Sequence, residues 1–321
     1  MKRRFFAAAA LAAALPLSAL AQAGYPSKNL TFIVPYAPGG LPDTVARIVA
    51  QKLSERLGKP VVVDNKPGGN GIVAYQTLMS SQDDGHTFIV SDGSWMTITP
   101  LLNKAARYTV GHELQPVSLI ARSPLFLVAH PNTGVRNLQE FISKVKEKPG
   151  AYTYGSSGIG SSHHLTMEAM KSELKLRIVH IPFRGSGASV PALVGGQVDF
   201  LFAALPSMLG FMQSQQVHLV ASNSGKRSPQ APNVATISEV VPGFDFSVVV
   251  GVVGKQGTSP EIAKKISDEI SQIVKLPDVI QKFTTAGIEG VGGSRQEYKQ
   301  QIQAEVKAMA RAGKAAELKS E

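Results

Sequence analysis

Apolar residues along this chain fall into short runs separated by stretches of helical spacing. Leu30 to Val34, Val61 to Val63 and Thr87 to Val90 read as strands, each followed by a glycine-bearing turn. Between them Val45, Ile48, Val49, Leu53 and Leu57 recur on one helical face ahead of Gly58, and Ile72, Tyr75 and Leu78 mark a shorter helix. Val117 to Ile120 and Leu125 to Ala129 are two further β-like runs, the second read as crossing into another lobe. There the same order resumes: helix Leu138 to Lys146, strand Tyr152 to Tyr154, a helix through Met167 and Met170, and strands at Ile178 to His180, Val198 to Phe202 and His218 to Ala221. Phe246 to Val253 reads as the strand that returns. Pro260 then opens a helix carrying Ile262, Ile266, Ile270 and Ile273, Pro277 starts another, and Arg295 to Ala312 gives a last, polar-surfaced helix. Strands alternating with helices predict an α/β protein with parallel sheets. A segment inserted between two halves of one domain predicts two lobes, 24–124 with 245–321 and 125–244, joined by two crossing strands.

The turns carry the candidate chemistry. In Pro35-Tyr36-Ala37-Pro38-Gly39-Gly40-Leu41-Pro42-Asp43, the glycines reach backbone angles closed to other residues, and Pro42 fits a first helical turn that needs no donor. Free N–H groups and the partial positive charge of a helix start make such a turn a seat for a carboxylate or phosphate. Asp43 would repel an anion, so its expected role is to cap the helix, shape the loop or hold water. The layout repeats at Asp64 to Gly71, at Ser91-Asp92-Gly93-Ser94, at Gly155-Ser156-Ser157-Gly158-Ile159-Gly160-Ser161, and at Arg184-Gly185-Ser186, where a guanidinium suits bidentate grip of a carboxylate.

Composition narrows the class. Met1 to Ala23 has Lys2-Arg3-Arg4, an apolar stretch to Leu17 too short to span a bilayer, and small residues, which is the pattern of a secretory signal peptide cleaved after Ala21 or, preferably, Ala23. With no cysteine there is neither a lipid anchor nor a disulfide, so a soluble periplasmic protein is expected. Of the net charge of +10, three belong to the signal segment, and the remaining +7 is interleaved with acids. That argues for attraction of small anions and against a nucleic-acid groove. Ser157, His163 or His164, and Asp199 name the residue types of a hydrolytic triad, but Gly155-Ser156-Ser157-Gly158-Ile159 lacks the second glycine of a nucleophile elbow. Gly158-Ile159-Gly160-Ser161-Ser162-His163 ends in His where a dinucleotide fingerprint needs Gly or Ala, and no phosphate-loop lysine follows a glycine turn. His163-His164 has no partner ligands at metal spacing. No catalysis, metal or cofactor is expected.

The ordered series Pro35-Tyr36-Ala37-Pro38-Gly39-Gly40 with Asp43, Asn65-Lys66-Pro67-Gly68, Asp84-Gly85, Gly155-Ser156-Ser157-Gly158 with His164-Leu165, Phe183-Arg184-Gly185-Ser186 and Gly195-Gly196-Gln197-Val198-Asp199 resembles the Bug family of extracytoplasmic solute receptors. The resemblance implies a type II periplasmic-binding-protein fold, and a small organic carboxylate held between the lobes by backbone amides, hydroxyls and water. It points to Tyr36, Gly39, Gly40, Asp43, Ser91, Ser94, Ser156, Ser157, Ser161, Arg184, Gly185 and Ser186. It further implies delivery by a monomer to the permease of a tripartite tricarboxylate transporter. His86 and Phe183 depart from the family's usual Tyr at those positions, so a relative's specificity does not transfer. Two alternatives stay open: a sensor presenting a carboxylate to a membrane kinase, and an exported hydrolase of carboxylic substrates.

Overall fold

A computed structural model describes residues 24–315, apart from 98, 103–105, 107 and 109–111; the signal-peptide reading of 1–23 lies outside the described residues. The chain runs β1 (Leu30–Val34), α1 (Leu41–Leu57), β2 (Val61–Asn65), α2 (Ile72–Ser80), β3 (Thr87–Asp92), α3 (Ser94–Thr97), α4 (Thr99–Leu102), β4 (Leu114–Ser123) and β5 (Phe126–Ala129). It continues α5 (Leu138–Glu147), β6 (Thr153–Ser156), α6 (Ser162–Leu174), β7 (Val179–Pro182), α7 (Ser186–Val194), β8 (Phe200–Ala203), α8 (Leu209–Gln213), β9 (His218–Ser222), β10 (Val248–Lys255), α9 (Pro260–Ile273), α10 (Pro277–Thr285), β11 (Glu289–Gly293) and α11 (Arg295–Ala315).

Two sheets form, ordered β11-β4-β10-β3-β1-β2 and β7-β6-β8-β5-β9. β1 is enclosed by parallel neighbours on both sides, which suits its nearly all-apolar sequence. α1 buries Val45, Ala46, Val49 and Leu53 against this sheet and ends at Gly58, whose left-handed backbone returns its N–H to Ser54 C=O.

The sheets are mixed, not parallel as the alternation suggested. β10 runs antiparallel to both β3 and β4, and β5 runs antiparallel to both β8 and β9. The cause is the route of the chain. β1, β3 and β4 run toward the second lobe, so a strand re-entering from that side points the other way; β5, entering the second lobe at the same side, opposes its neighbours likewise. β11, absent from the sequence reading, extends the first sheet beside β4; its glycine-rich Glu-Gly-Val-Gly-Gly carries almost no strand signal.

Both crossings meet at Asn223, which is fully buried. Its Oδ1 accepts the Leu125 N–H at 2.8 Å, its Nδ2 donates to Phe246 C=O at 2.6 Å, and its backbone bonds both residues as well. Pro124 breaks β4 from β5 just before that tie. Among the described residues no helix is long and apolar enough to cross a membrane.

Candidate functional site

The strand directions bring four strand-to-helix turns, those after β1, β3, β6 and β7, to the interface between the lobes. This is where ligands sit in open α/β sheets.

In the first lobe, Gly39 takes a positive φ of 90° and donates its N–H to Asp43 Oδ2 at 2.9 Å. Asn65 Nδ2 donates to Tyr36 C=O at 3.0 Å and to Asp43 Oδ1 at 2.9 Å, and Arg47 Nε donates to the same carboxylate. Burial alone would raise the Asp43 pKa; the bonds from Arg47, Gly39 and Asn65 outweigh it and hold the group ionised below its ordinary range. Asp43 thus fixes the loop from within, and α1 starts at Gly40 with no capping side chain.

Tyr36 is buried and donates its hydroxyl to Asp92 Oδ1 at 3.1 Å, where the Ser94 N–H and Oγ also donate at 3.1 and 2.8 Å. Ser91 is buried beside them. Burial pushes the Asp92 carboxyl up despite these donors. Glu305 of α11 packs against Gly93 with no partner for its Oε2 among the described residues, and burial, then the nearby Asp92, push it up to about 8.

In the second lobe Ser156 Oγ exchanges bonds with Gly158 and meets His180 Nε2 at 2.7 Å. Ser161 Oγ caps α6 at the His164 N–H and donates to Gly158 C=O. Ser157 is buried with no partner for its hydroxyl among the described residues. The rings of Tyr154, His180 and His164 stack behind the turn, with centroids 4.8 and 4.0 Å apart. Burial lowers His163 and His164 to about 4 and His180 to about 3, so all three are neutral at pH 7. Gly185, at a φ of 99°, donates its N–H to Ser157 C=O at 3.2 Å and leads into α7, whose first residue Ser186 is buried.

The lobes touch here. A Cβ built on Gly40 would lie 2.6 Å from Ser186 Oγ, and one on Gly185 would lie 3.2 Å from Ala37 N. Tyr36, Gly40, Ser157, Gly185 and Ser186 are therefore brought to one seam, with Ser91 and Ser94 behind Tyr36, and Ser156 and Ser161 bonded within their own turn. Gly39 and Arg184 are exposed, and Arg184 has no hydrogen bond or ion pair among the described residues.

A triad does not assemble. Asp199 accepts from Thr153 N and Oγ1, His164 Nδ1 accepts from Gly160 N, and neither Ser157 Oγ nor His163 Nδ1 has a partner among the described residues. Sequence reasoning missed Asp92, His180 and Glu305. Asp92 was visible as an acid closing an apolar strand; Glu305, on a polar-surfaced helix, gave no such signal.

The tripartite tricarboxylate transporter family receptor model matches residues 45–318. BugT of Bordetella pertussis is 33% identical over 285 residues, covering 88% of this chain and 86% of BugT. Among solved structures, an R. palustris protein with adipate has 28% identity and a TM-score of 0.88, covering 92% of this chain and 100% of that one. MatC from Rhodopseudomonas palustris with bound malate has 27% identity and a TM-score of 0.83, covering 90% of this chain and 99% of MatC. A family match across most of the chain, on a two-lobed fold whose glycine turns face one another, means that this chain belongs to the tripartite tricarboxylate transporter receptors.

Proposed function

We propose that this protein captures one small organic carboxylate between its lobes in the periplasm and, as a monomer, delivers it to the membrane subunits of a tripartite tricarboxylate transporter. The observation that carries the reading is the meeting of the Tyr36–Asp43, Ser157 and Gly185–Ser186 turns across the seam, where the starts of α1 and α7 and a buried Ser157 hydroxyl with no partner among the described residues suit an anion. The solved relatives with adipate and malate support a carboxylate as the cargo. In this reading the lobes are 24–124 with 245–321, and 125–244, and the signal segment is removed after Ala23. Ligand contacts both lobes only when they are shut and so selects the closed form. Gly40, Ser157, Gly185 and Ser186 form the inner contacts, while Arg184 stands at the rim and attracts anions from solution.

A thermal-shift screen with malate, succinate, adipate, citrate, benzoate and glutamate tests it, because a ligand that binds only the folded state raises the melting temperature by mass action. Calorimetry on the best hit should give about one site per chain. Absence of any shift across the panel, or conversion of the bound acid in a manner abolished by replacing Ser157, would overturn the proposal.

A further inference from the structure

We propose that Gly187 is a positioning residue for ligand retention: it lets the turn that opens α7 meet the Tyr36–Gly40 turn backbone to backbone, and so sets how far the lobes shut. The inference rests on the reading above, that the ligand is held between the lobes.

Three glycines line the seam, and what stands against each differs. A Cβ on Gly40 would meet Ser186 Oγ, the tip of a side chain that can rotate away. A Cβ on Gly185 would approach Ala37 N at 3.2 Å, but the positive φ of 99° there confounds any substitution with backbone strain. Gly187 is the clean case. Its Cβ would lie 2.5 Å from Pro38 C=O and 3.2 Å from Ala37 Cβ, and its own backbone is not in the left-handed region.

Neither turn can retreat within its own lobe. The first is pinned by the Gly39 N–H on Asp43 and by Asn65 on Tyr36 C=O; the second by the Gly185 N–H on Ser157 C=O and by the Ala188 and Ser189 N–H groups on Gly185 C=O. A methyl at 187 must then be relieved between the lobes, by an opening of about half an ångström at the seam, because overlapping atoms repel steeply. Hydrogen bonds from the two lobes to one small ligand lose their geometry over such a distance. Closure governs escape more than entry, so the loss falls on the dissociation rate.

Gly187 lies in the first turn of α7, where alanine is the better helix former. A residue serving only the fold of α7 would therefore give Gly187→Ala an unchanged or raised melting temperature and unchanged binding. The proposal requires the first without the second.

The test uses the panel acid that gives wild type its largest thermal shift. Gly187→Ala should keep the melting temperature of the free protein and raise Kd at least tenfold, with the change in koff and not in kon. Gly210→Ala is the control, since a Cβ there meets nothing within 4 Å. Equal Kd and koff for Gly187→Ala and wild type would overturn the proposal. A second arm needs no ligand and no intact Gly187. The chain has no cysteine, so the pair Ala37→Cys and Gly187→Cys can be titrated without background. Their Cβ separation of 3.2 Å is only slightly shorter than disulfides use, and mild oxidation should consume both thiols within one chain. Failure of the thiols to pair would overturn the seam even if Gly187→Ala misfolds. Pairing, together with no shift of wild type by any panel acid, would instead leave the seam standing and remove the carboxylate reading.

Discussion

Asp43→Ala is the sharpest probe of how the first-lobe turn is built. The carboxylate is buried and accepts from Gly39 N–H, Asn65 Nδ2 and Arg47 Nε, so truncation strands several donors at once. An unsatisfied, largely enclosed donor costs about 1–3 kcal/mol. Arg47 is half exposed and regains water, adding roughly 0–1 kcal/mol, while Asn65 keeps its bond to Tyr36 C=O. The total is about 1–4 kcal/mol, equivalent to a fall of about 2–6 °C in melting temperature for a chain of this size. The pH dependence has a fixed sign. The folded pKa is lowered from its ordinary 3.8, so the contribution is fully present above that value and is lost as pH falls through the folded pKa. Melting followed by circular dichroism from neutral pH downward should show wild type and Asp43→Ala far apart at pH 7 and converging in strong acid. A difference under about 1 °C at pH 7 would show that the loop holds its shape without the carboxylate, and the account of the turn would fail.

Three further outcomes follow from particular groups. Asn223→Leu, which deletes both side-chain bonds at the crossings, should destabilise by about 2–4 kcal/mol in urea titration and loosen the two lobes relative to one another, read as faster hydrogen exchange at the Leu125 and Phe246 amides. Glu305→Gln should stabilise the fold: the carboxyl is raised from its ordinary 4.5 to about 8, so wild type loses stability as pH rises between those values, and the advantage of the variant should grow over that window to at most about 5 kcal/mol. His180→Phe should flatten the acid side, because an unfolded chain takes up protons below about 6.5 while the stacked His180 stays neutral to about 3; melting temperatures compared from pH 7 to pH 4 should fall less steeply in the variant.

The strand-turn-helix grammar was legible because it is local: glycines that need positive φ, as at Gly39 and Gly185, and apolar runs such as Leu30 to Val34 declare themselves in a few residues. Strand direction was not, since whether β10 runs with or against β3 depends on which end of the sheet the chain comes back to, and no residue of β10 records that. The same limit hid Glu305. It lies on a helix whose sequence is rich in Lys, Gln and Glu, and only the packing of α11 against Gly93 makes it a buried acid. Arg184 shows the limit from the other side: its glycine-flanked setting suggested a ligand contact, and the fold buries Ser186 while leaving Arg184 exposed.

These ionisations bear on how the seam can hold an acid. On the second-lobe side the stacked His164 and His180 are uncharged at pH 7, because burial, then Lys171 beside His164 and His164 beside His180, penalise protonation. On the first-lobe side burial and Asp92 favour the neutral form of Glu305. The groups behind the turns thus contribute little net charge, and the charged Asp43 is already satisfied by donors of its own loop. In the reading proposed above, attraction for a carboxylate then falls to N–H groups at the starts of α1, α6 and α7 and to hydroxyls such as Ser157, which are directional and short in reach. Such a site rewards placement more than charge. A ligand shifted by a fraction of an ångström loses several modest hydrogen bonds together, and this is why the closeness of approach at Gly187, far more than the cation at Arg184, should govern how long an acid stays bound.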